Sequence, residues 1–281
     1  MPQYEVAELI INIDSDTTKP LEYLKKFLIM QRRDANLNIS VTAKEFIEVP
    51  EGDVISVENV TTMVRKPADQ DGFLTYIENP DIGRILVLMD VDKEWRNVVI
   101  TYYDEDYSQL VYAFIGIAFR YFLLHFNGLV IHSSTLKLNG KGLMFSAPSE
   151  TGKSTHVKLW QKYLEDVIVI NDDTPAVRII NNKIFVFGTP WSGSKFIHSN
   201  DSAPLAAIVL LEQAPDNVIR RLYNEEIILK LLPRVFVPYF DQNMVNICMN
   251  SFEKVISSVP IYFLQCRPDK EAMELVYQCV K

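Results

Sequence analysis

The stretch Gly142-Leu-Met-Phe-Ser-Ala-Pro-Ser-Glu-Thr-Gly-Lys-Ser-Thr155 constrains the fold of this chain more than any other segment. Leu143-Met144-Phe145 is a short apolar run between Gly142 and Pro148, the composition of a buried strand. Gly152-Lys153-Ser154-Thr155 opens a segment in which Val157, Leu159, Trp160 and Leu164 fall near one helical face. A strand, a tight turn and a helix in this order direct backbone N–H groups at a point where the helix dipole favours negative charge.

The spacing approximates the phosphate-binding pattern G-x-x-x-x-G-K-[ST]. Ala147 takes the place of the first glycine, and Glu150 stands where many such loops carry another. In this reading Lys153 meets the β- and γ-phosphates and the Ser154 hydroxyl binds Mg²⁺. The nucleotide-contacting set is Ser149, Thr151, Gly152, Lys153, Ser154 and Thr155. The competing reading is a glycine-containing turn with a surface lysine. Glu150 must point away from the phosphates, because an inward carboxylate would repel them.

Asn171-Asp172-Asp173 follows the apolar run Val167-Ile-Val-Ile170. The end of a strand shortly after the loop helix is where such nucleotide-binding proteins hold a Mg²⁺-binding carboxylate. Asp172 is the candidate metal ligand, and Asp173 the candidate base toward an attacking hydroxyl. Taken alone, the same residues read as a polar turn before Thr174-Pro175. His132 lies on an expected strand, 128–138, just before the loop strand. It is either a hydrogen-bonded core residue or a catalytic neighbour of the phosphates. The other histidines show no metal-ligand spacing. In 188–195, Trp191 is a candidate pocket wall and Lys195 a candidate phosphate or substrate contact. Arg267 is a weaker candidate cation.

The first hundred or so residues read as β-rich, with strands expected at 6–13, 37–41, 57–65, 73–78, 84–90 and 97–103. Turn clusters at 14–16, 51–53 and 69–72 separate them. A short helix over 21–28 would place Leu21, Leu24 and Leu28 on one face. A long apolar helix is expected over 107–126. Beyond the loop, Asn139-Gly140 and Asn181-Asn182 signal hairpins. The run 205–211 reads as a central strand, 224–258 as two helices broken near Pro233 and Pro238, 260–266 as a strand and 269–280 as a closing helix. The division expected is a β-rich region, 1–106, followed by a phosphate-loop domain, 107–281.

A net charge of −8 leaves no basic footprint for nucleic acid or an anionic membrane. Cys248, Cys266 and Cys279 are odd in number and lack paired spacing, which predicts reduced thiols. Met1-Pro-Gln-Tyr-Glu-Val6 has neither a basic n-region nor an apolar h-region, so the expectation is a cytoplasmic chain without a signal peptide. The apolar run 110–119 is interrupted beyond its end by Arg120 and His125 and reads as a buried helix, not a membrane span.

Together these residues resemble the C-terminal domain of HPr kinase/phosphorylase, in the P-loop group related to ATP-dependent phosphoenolpyruvate carboxykinase. In that family a His-Gly precedes the loop, the loop reads like G-x-S-G-x-G-K-S, and a strand ending Asp-Asp follows. His132 stands before the loop at similar spacing; Ser149, Gly152, Lys153 and Ser154 match it, and Asn171-Asp172-Asp173 looks like the strand end. The phrases at 146–155 and 188–193 are similar to uncharacterised bacterial HPr-kinase-like proteins. Some members of that wider group are associated with modified-peptide gene clusters and phosphorylate a peptide serine. The resemblance covers roughly 128–191, extends weakly to the C-terminus and does not reach the N-terminal half. Ser133 replaces the family glycine, and there is no clean equivalent of the second metal-binding Glu or its signature loop.

The resemblance implies an α/β fold (α+β over the whole chain), Mg²⁺-ATP as cofactor, and a site of Lys153, Ser154, His132, Asp172 and Asp173. It implies a kinase that phosphorylates a hydroxyl on a peptide, small protein or small molecule, with a serine as the leading acceptor. A homo-oligomer is a further partner the family suggests. The alternatives are a small-molecule phosphotransferase or carboxykinase-like enzyme, and a non-catalytic nucleotide-binding regulatory module.

Overall fold

The computed structural model describes residues 1–58, 60–67, 70–193 and 195–281. Asn59, Ala68, Asp69 and Ser194 lie outside the described residues. With them go one position each of the expected strand 57–65, the turn 69–72 and the loop 188–195. The chain is a mixed α/β protein of two compact units, Met1–His125 with Tyr239–Gln242, and Phe126–Pro238 with Asn243–Lys281.

The first unit is built on a nine-stranded sheet. Its strands are β1 (Gln3–Val6), β2 (Leu9–Ser15), β3 (Leu28–Ile29), β4 (Leu37–Ala43), β5 (Asp53–Glu58), β6 (Thr61–Arg65), β7 (Phe73–Asn79), β8 (Arg84–Val91) and β9 (Asn97–Tyr102). They lie in the order β3-β1-β2-β4-β9-β8-β7-β6-β5. β2, β4 and β9 run parallel, and β9 to β5 form an antiparallel meander.

Two expected strands are hairpins instead. The run 6–13 turns at Ala7 and Glu8, both with positive φ (51° and 60°), so two non-glycine residues adopt the backbone a tight two-residue turn demands. The run 57–65 is likewise divided between β5 and β6. The expected helix at 21–28 is a 3-10 helix, Lys19–Phe27, that buries Leu24 and Phe27, while Leu28 is exposed. The tighter winding brings i and i+3 into register, and this selects Phe27 over Leu28.

The apolar helix α1 (Ser108–Phe122) buries Val111, Phe114, Ile115, Ala118, Phe119 and Phe122. It packs against β4, β8 and β9. The continuous helical segment Glu105–Phe126 is long and apolar enough to cross a membrane; here its apolar face is spent on the first sheet. That packing sets the division between the units at His125/Phe126, after the helix, where the composition shift alone suggested 106/107.

The second unit contains β10 (Gly128–Val130), β11 (Ser134–Leu138), β12 (Lys141–Ser146), α2 (Lys153–Tyr163), β13 (Ile168–Asn171), β14 (Ala176–Ile180), β15 (Lys183–Phe187), β16 (Ser202–Gln213) and β17 (Val218–Arg221). α3 (Glu225–Leu231), a 3-10 turn at Leu232–Arg234, α4 (Gln242–Ser258), β18 (Ile261–Cys266) and α5 (Lys270–Val280) complete it. The sheet order is β10-β14-β15-β16-β12-β11-β13, with β18 on β16 and β17 on β18. The core joins Leu136, Phe145 and Val209 from the sheet to Trp160 of α2 and Met273 and Val276 of α5.

β16 and β18 run parallel to β12. β12 and β13 are both antiparallel to β11, so they point the same way with β11 between them. Their C-terminal ends therefore open on one edge of the sheet, where ligands of open α/β sheets bind. The expected strand 128–138 is broken. β10 pairs with β14, β11 pairs with β12 and β13, and His132 occupies the break.

Candidate functional site

β12 is buried through Leu143, Met144 and Phe145 and delivers Ser146 and Ala147 to the sheet edge. The following loop turns through two left-handed residues, Glu150 (φ 64°) and Gly152 (φ 111°). Gly152 adopts this conformation freely; Glu150 holds it against the clash its Cβ makes with the following carbonyl. A Cβ at Gly152 would meet nothing within 4 Å, so the space over the helix start is open. Gln213 Nε2 donates to the Thr151 carbonyl at 3.2 Å and ties the loop to the end of β16. Ser154 is half-buried, whereas Ser149 and Thr155 are exposed.

Lys153 is 8% exposed, and its ammonium donates to the carbonyls of Ala147 (3.1 Å) and Pro148 (3.2 Å). Burial lowers its pKa; Asp173 and Asp172 counteract this, and Arg234 reinforces it. Both carboxylates and Arg234 thus lie within electrostatic reach of the lysine. Glu150 is not among these charges. It instead lines a cleft on the helix side of the loop.

Asp173 meets His132: Nδ1 stands 2.9 Å from Oδ1, with side chains 24% and 30% exposed. A carboxylate is an acceptor only, so the proton of this bond sits on Nδ1. The Nε2 atom is buried and has no hydrogen-bond partner among the described residues. The His132 backbone is held on both sides: its N–H donates to the Arg234 carbonyl (2.8 Å), and its carbonyl accepts from Ser146 Oγ (2.7 Å). Asp172 has a different partner, accepting from Ser134 Oγ at 2.5 Å. The neighbouring carboxylates therefore have different partners.

Asn171, fully buried, organises this turn. Its Oδ1 accepts from the N–H groups of Asp173 and Thr174, each at 2.8 Å. Its Nδ2 donates to the Thr189 carbonyl, Thr189 Oγ1 and the Trp191 carbonyl at 3.0–3.1 Å. Thr174 Oγ1 also donates to the Trp191 carbonyl. The loop after β15 is thereby clamped to the carboxylate turn. Gly188 permits the close approach, and Gly193 supplies a positive φ beside Asp173. A Cβ at Gly188 would lie 1.8 Å from the Ser199 carbonyl oxygen, and one at Gly193 (φ 68°) would lie 3.5 Å from Asp173 Cγ.

His132, Lys153, Asp172 and Asp173, from three chain segments, thus come to one sheet edge. Trp191 joins through its backbone carbonyl. Lys195 is exposed and makes no hydrogen bond or ion pair with Lys153, Asp172 or Asp173 among the described residues. Arg267 bonds Asp269 (3.0 Å) and Glu271 (3.2 Å) and lines the helix-side cleft. The sequence reading assigned no role to Asn171, Ser134, Thr189 or Arg234. Asn171 was within sight as the residue before Asp-Asp. Arg234 had no local signal, since it follows a proline far along the chain and comes within electrostatic reach of Lys153 only through folding.

Two cavities flank the loop. A cleft of ≈ 590 Å³ is lined by residues that include Glu150, Gly152, His156, Leu211 and Ala214. A smaller one, ≈ 210 Å³, lies between Ala147-Pro148 and the segment bearing Lys230 and Arg234. Among the described residues, no group of three or more His, Cys, Asp or Glu side chains is gathered to hold a metal ion.

Fold and site together define an α/β protein with a strand–loop–helix turn, β12 to α2, on the same sheet edge as a His–Asp pair. No family model matches the sequence, and no curated protein matches it. A solved structure of the Hpr(Ser) kinase/phosphatase from Coxiella burnetii aligns over 54% of this chain and 87% of its own, at 13% identity and a TM-score of 0.32, a likeness too slight to assign the fold.

Proposed function

We propose that this chain is an ATP- and Mg²⁺-dependent kinase of HPr-kinase-like type that transfers phosphate to a hydroxyl, with a serine of a peptide or small protein as the leading acceptor. One observation carries the reading. Lys153 at the start of α2 lies within electrostatic reach of Asp173, which is itself bonded to His132.

In this reading the loop amides and Lys153 hold the triphosphate, and Arg234 is a second cation facing the transferred group. Asp173 accepts the acceptor's hydroxyl proton as the new O–P bond forms and the β–γ bridging bond breaks, with ADP as leaving group. His132, bonded to Asp173, orients that carboxylate. Ser154 and Asp172 would hold Mg²⁺, which neutralises charge on the β- and γ-phosphate oxygens when bound. Mg²⁺ usually takes one or two carboxylates plus phosphates and water, so the half-buried Ser154 and Asp172 suit it without a protein cage.

The test is titration calorimetry with MgATP, followed by transfer from γ-labelled ATP to serine peptides and small hydroxyl compounds. The parent should bind MgATP and label an acceptor, and Lys153→Ala should do neither while remaining folded. A Lys153→Ala protein that binds MgATP as tightly as the parent refutes the reading.

A further inference from the structure

The role of Glu150 is unexplained by the phosphate chemistry. It breaks the glycine pattern of the loop, adopts a left-handed backbone (φ 64°), and lines the ≈ 590 Å³ cleft next to Gly152 and Thr155. Sites for small ligands fall in the range of about 300–1,000 Å³, so this cleft has room for a nucleoside. Its walls include Leu211, Ala214 and Pro268, and apolar surface of this kind suits a base. His156, 3% exposed, also lines it, with pKa lowered to about 4 by burial and an Nε2 atom that has no hydrogen-bond partner among the described residues. The other cavity is lined by the cations Lys230 and Arg234 and by Ala147 and Pro148, whose carbonyls accept from the Lys153 ammonium. The two sides of the loop are therefore chemically distinct.

We propose that this cleft receives the nucleoside of the donor and that the Glu150 carboxylate accepts hydrogen bonds from the ribose hydroxyls. The proposal rests on the phosphate-loop reading above. The ribose follows the α-phosphate, so it lies next to the helix start, on the side where Glu150 stands. A carboxylate accepts only and recognises donors such as hydroxyls. It also disfavours further anions, so phosphate alone gains nothing from it. Arg267 on the same wall is occupied by Asp269 and Glu271.

The experiment measures dissociation constants of ATP, 2′,3′-dideoxy-ATP and inorganic tripolyphosphate, each with Mg²⁺, for the full chain and for Glu150→Gly. Glycine adopts the left-handed conformation without strain, so the variant removes the carboxylate and keeps the loop. The parent should bind ATP roughly tenfold or more tighter than the dideoxy analogue, the scale of a hydrogen bond to a charged group. Tripolyphosphate should bind more weakly still. Glu150→Gly should abolish the gap between ATP and the dideoxy analogue and leave tripolyphosphate unchanged or tighter. If the parent binds ATP and tripolyphosphate equally, the cleft is not the nucleoside site while the phosphate-loop reading stands. A gap between ATP and dideoxy-ATP that survives in Glu150→Gly overturns the role of the carboxylate. If none of the three ligands binds the parent, the phosphate-loop reading fails and this inference falls with it.

Discussion

Replacing Asn171 with alanine removes five hydrogen-bond contacts at once, three shared by the two N–H groups of Nδ2 and two accepted by Oδ1. The residue is fully buried, so its partners do not face bulk solvent. The Trp191 carbonyl keeps the Thr174 and Thr189 hydroxyls as donors, whereas the Asp173 and Thr174 N–H groups and the Thr189 carbonyl lose their partner in Asn171. Leaving a buried polar group unsatisfied costs about 1–3 kcal/mol, so three such groups cost about 3 kcal/mol at the low end of that range. That is a large share of the 5–15 kcal/mol typical of a folded domain, roughly, so the second unit should be measurably weakened. Urea unfolding read by tryptophan fluorescence is the assay. Trp160 and Trp191 belong to the second unit and Trp95 to the first, so a Trp95→Phe background isolates the relevant transition. Asn171→Asp separates the two halves of the clamp: it keeps the acceptor for the two N–H groups and loses the donor. It should also destabilise, because a carboxylate would face three oxygens. An Asn171→Ala protein that unfolds within about 0.5 kcal/mol of the parent, the range of an ordinary surface change, would refute the clamp.

The carboxylates should separate kinetically. Asp172→Asn should need more Mg²⁺ to reach the same rate, while Asp173→Asn should bind nucleotide normally and lose roughly two to four orders of magnitude in rate; identical Mg²⁺ titrations and rates for the two would contradict the division. Gly188→Ala should fail to fold its loop, since the new Cβ would lie 1.8 Å from a backbone oxygen, and faster proteolysis near 188–199 would report it. Buried His156, with its pKa lowered to about 4, favours the neutral form. Its contribution is present above the unfolded value near 6.5 and is lost as pH falls toward 4, about 3 kcal/mol at most. A His156→Gln protein whose stability shows the same pH slope over that window would exclude His156 as the source.

Much of the second unit was legible in the sequence because its signals are local. An apolar run bounded by Gly142 and Pro148 makes a strand regardless of its neighbours. Asn139-Gly140 and Asn181-Asn182 turn because their residues tolerate positive φ, as both pairs show. The hairpin at Ala7-Glu8 was invisible for the converse reason. Neither residue favours the left-handed backbone; pairing of Val6 with Leu9 and burial of the strand faces hold it there. β17 escaped notice because a short, largely exposed strand carries little periodic signal.

The site divides along the same line. Composition and spacing alone placed Lys153 at a helix start and Asp172 and Asp173 at a strand end, since each depends on a few adjacent residues. Only the tertiary structure decided that β11 lies between β12 and β13, that the chain breaks at His132 so that its imidazole reaches Asp173, and that Arg234 comes within electrostatic reach of Lys153. It also decided that Asn171 joins the carboxylate turn to the loop at 188–193. These are contacts between residues far apart in the chain. Their energies come from burial and from hydrogen bonds closed across strands, which no local pattern records, so they exist only once the sheet has formed.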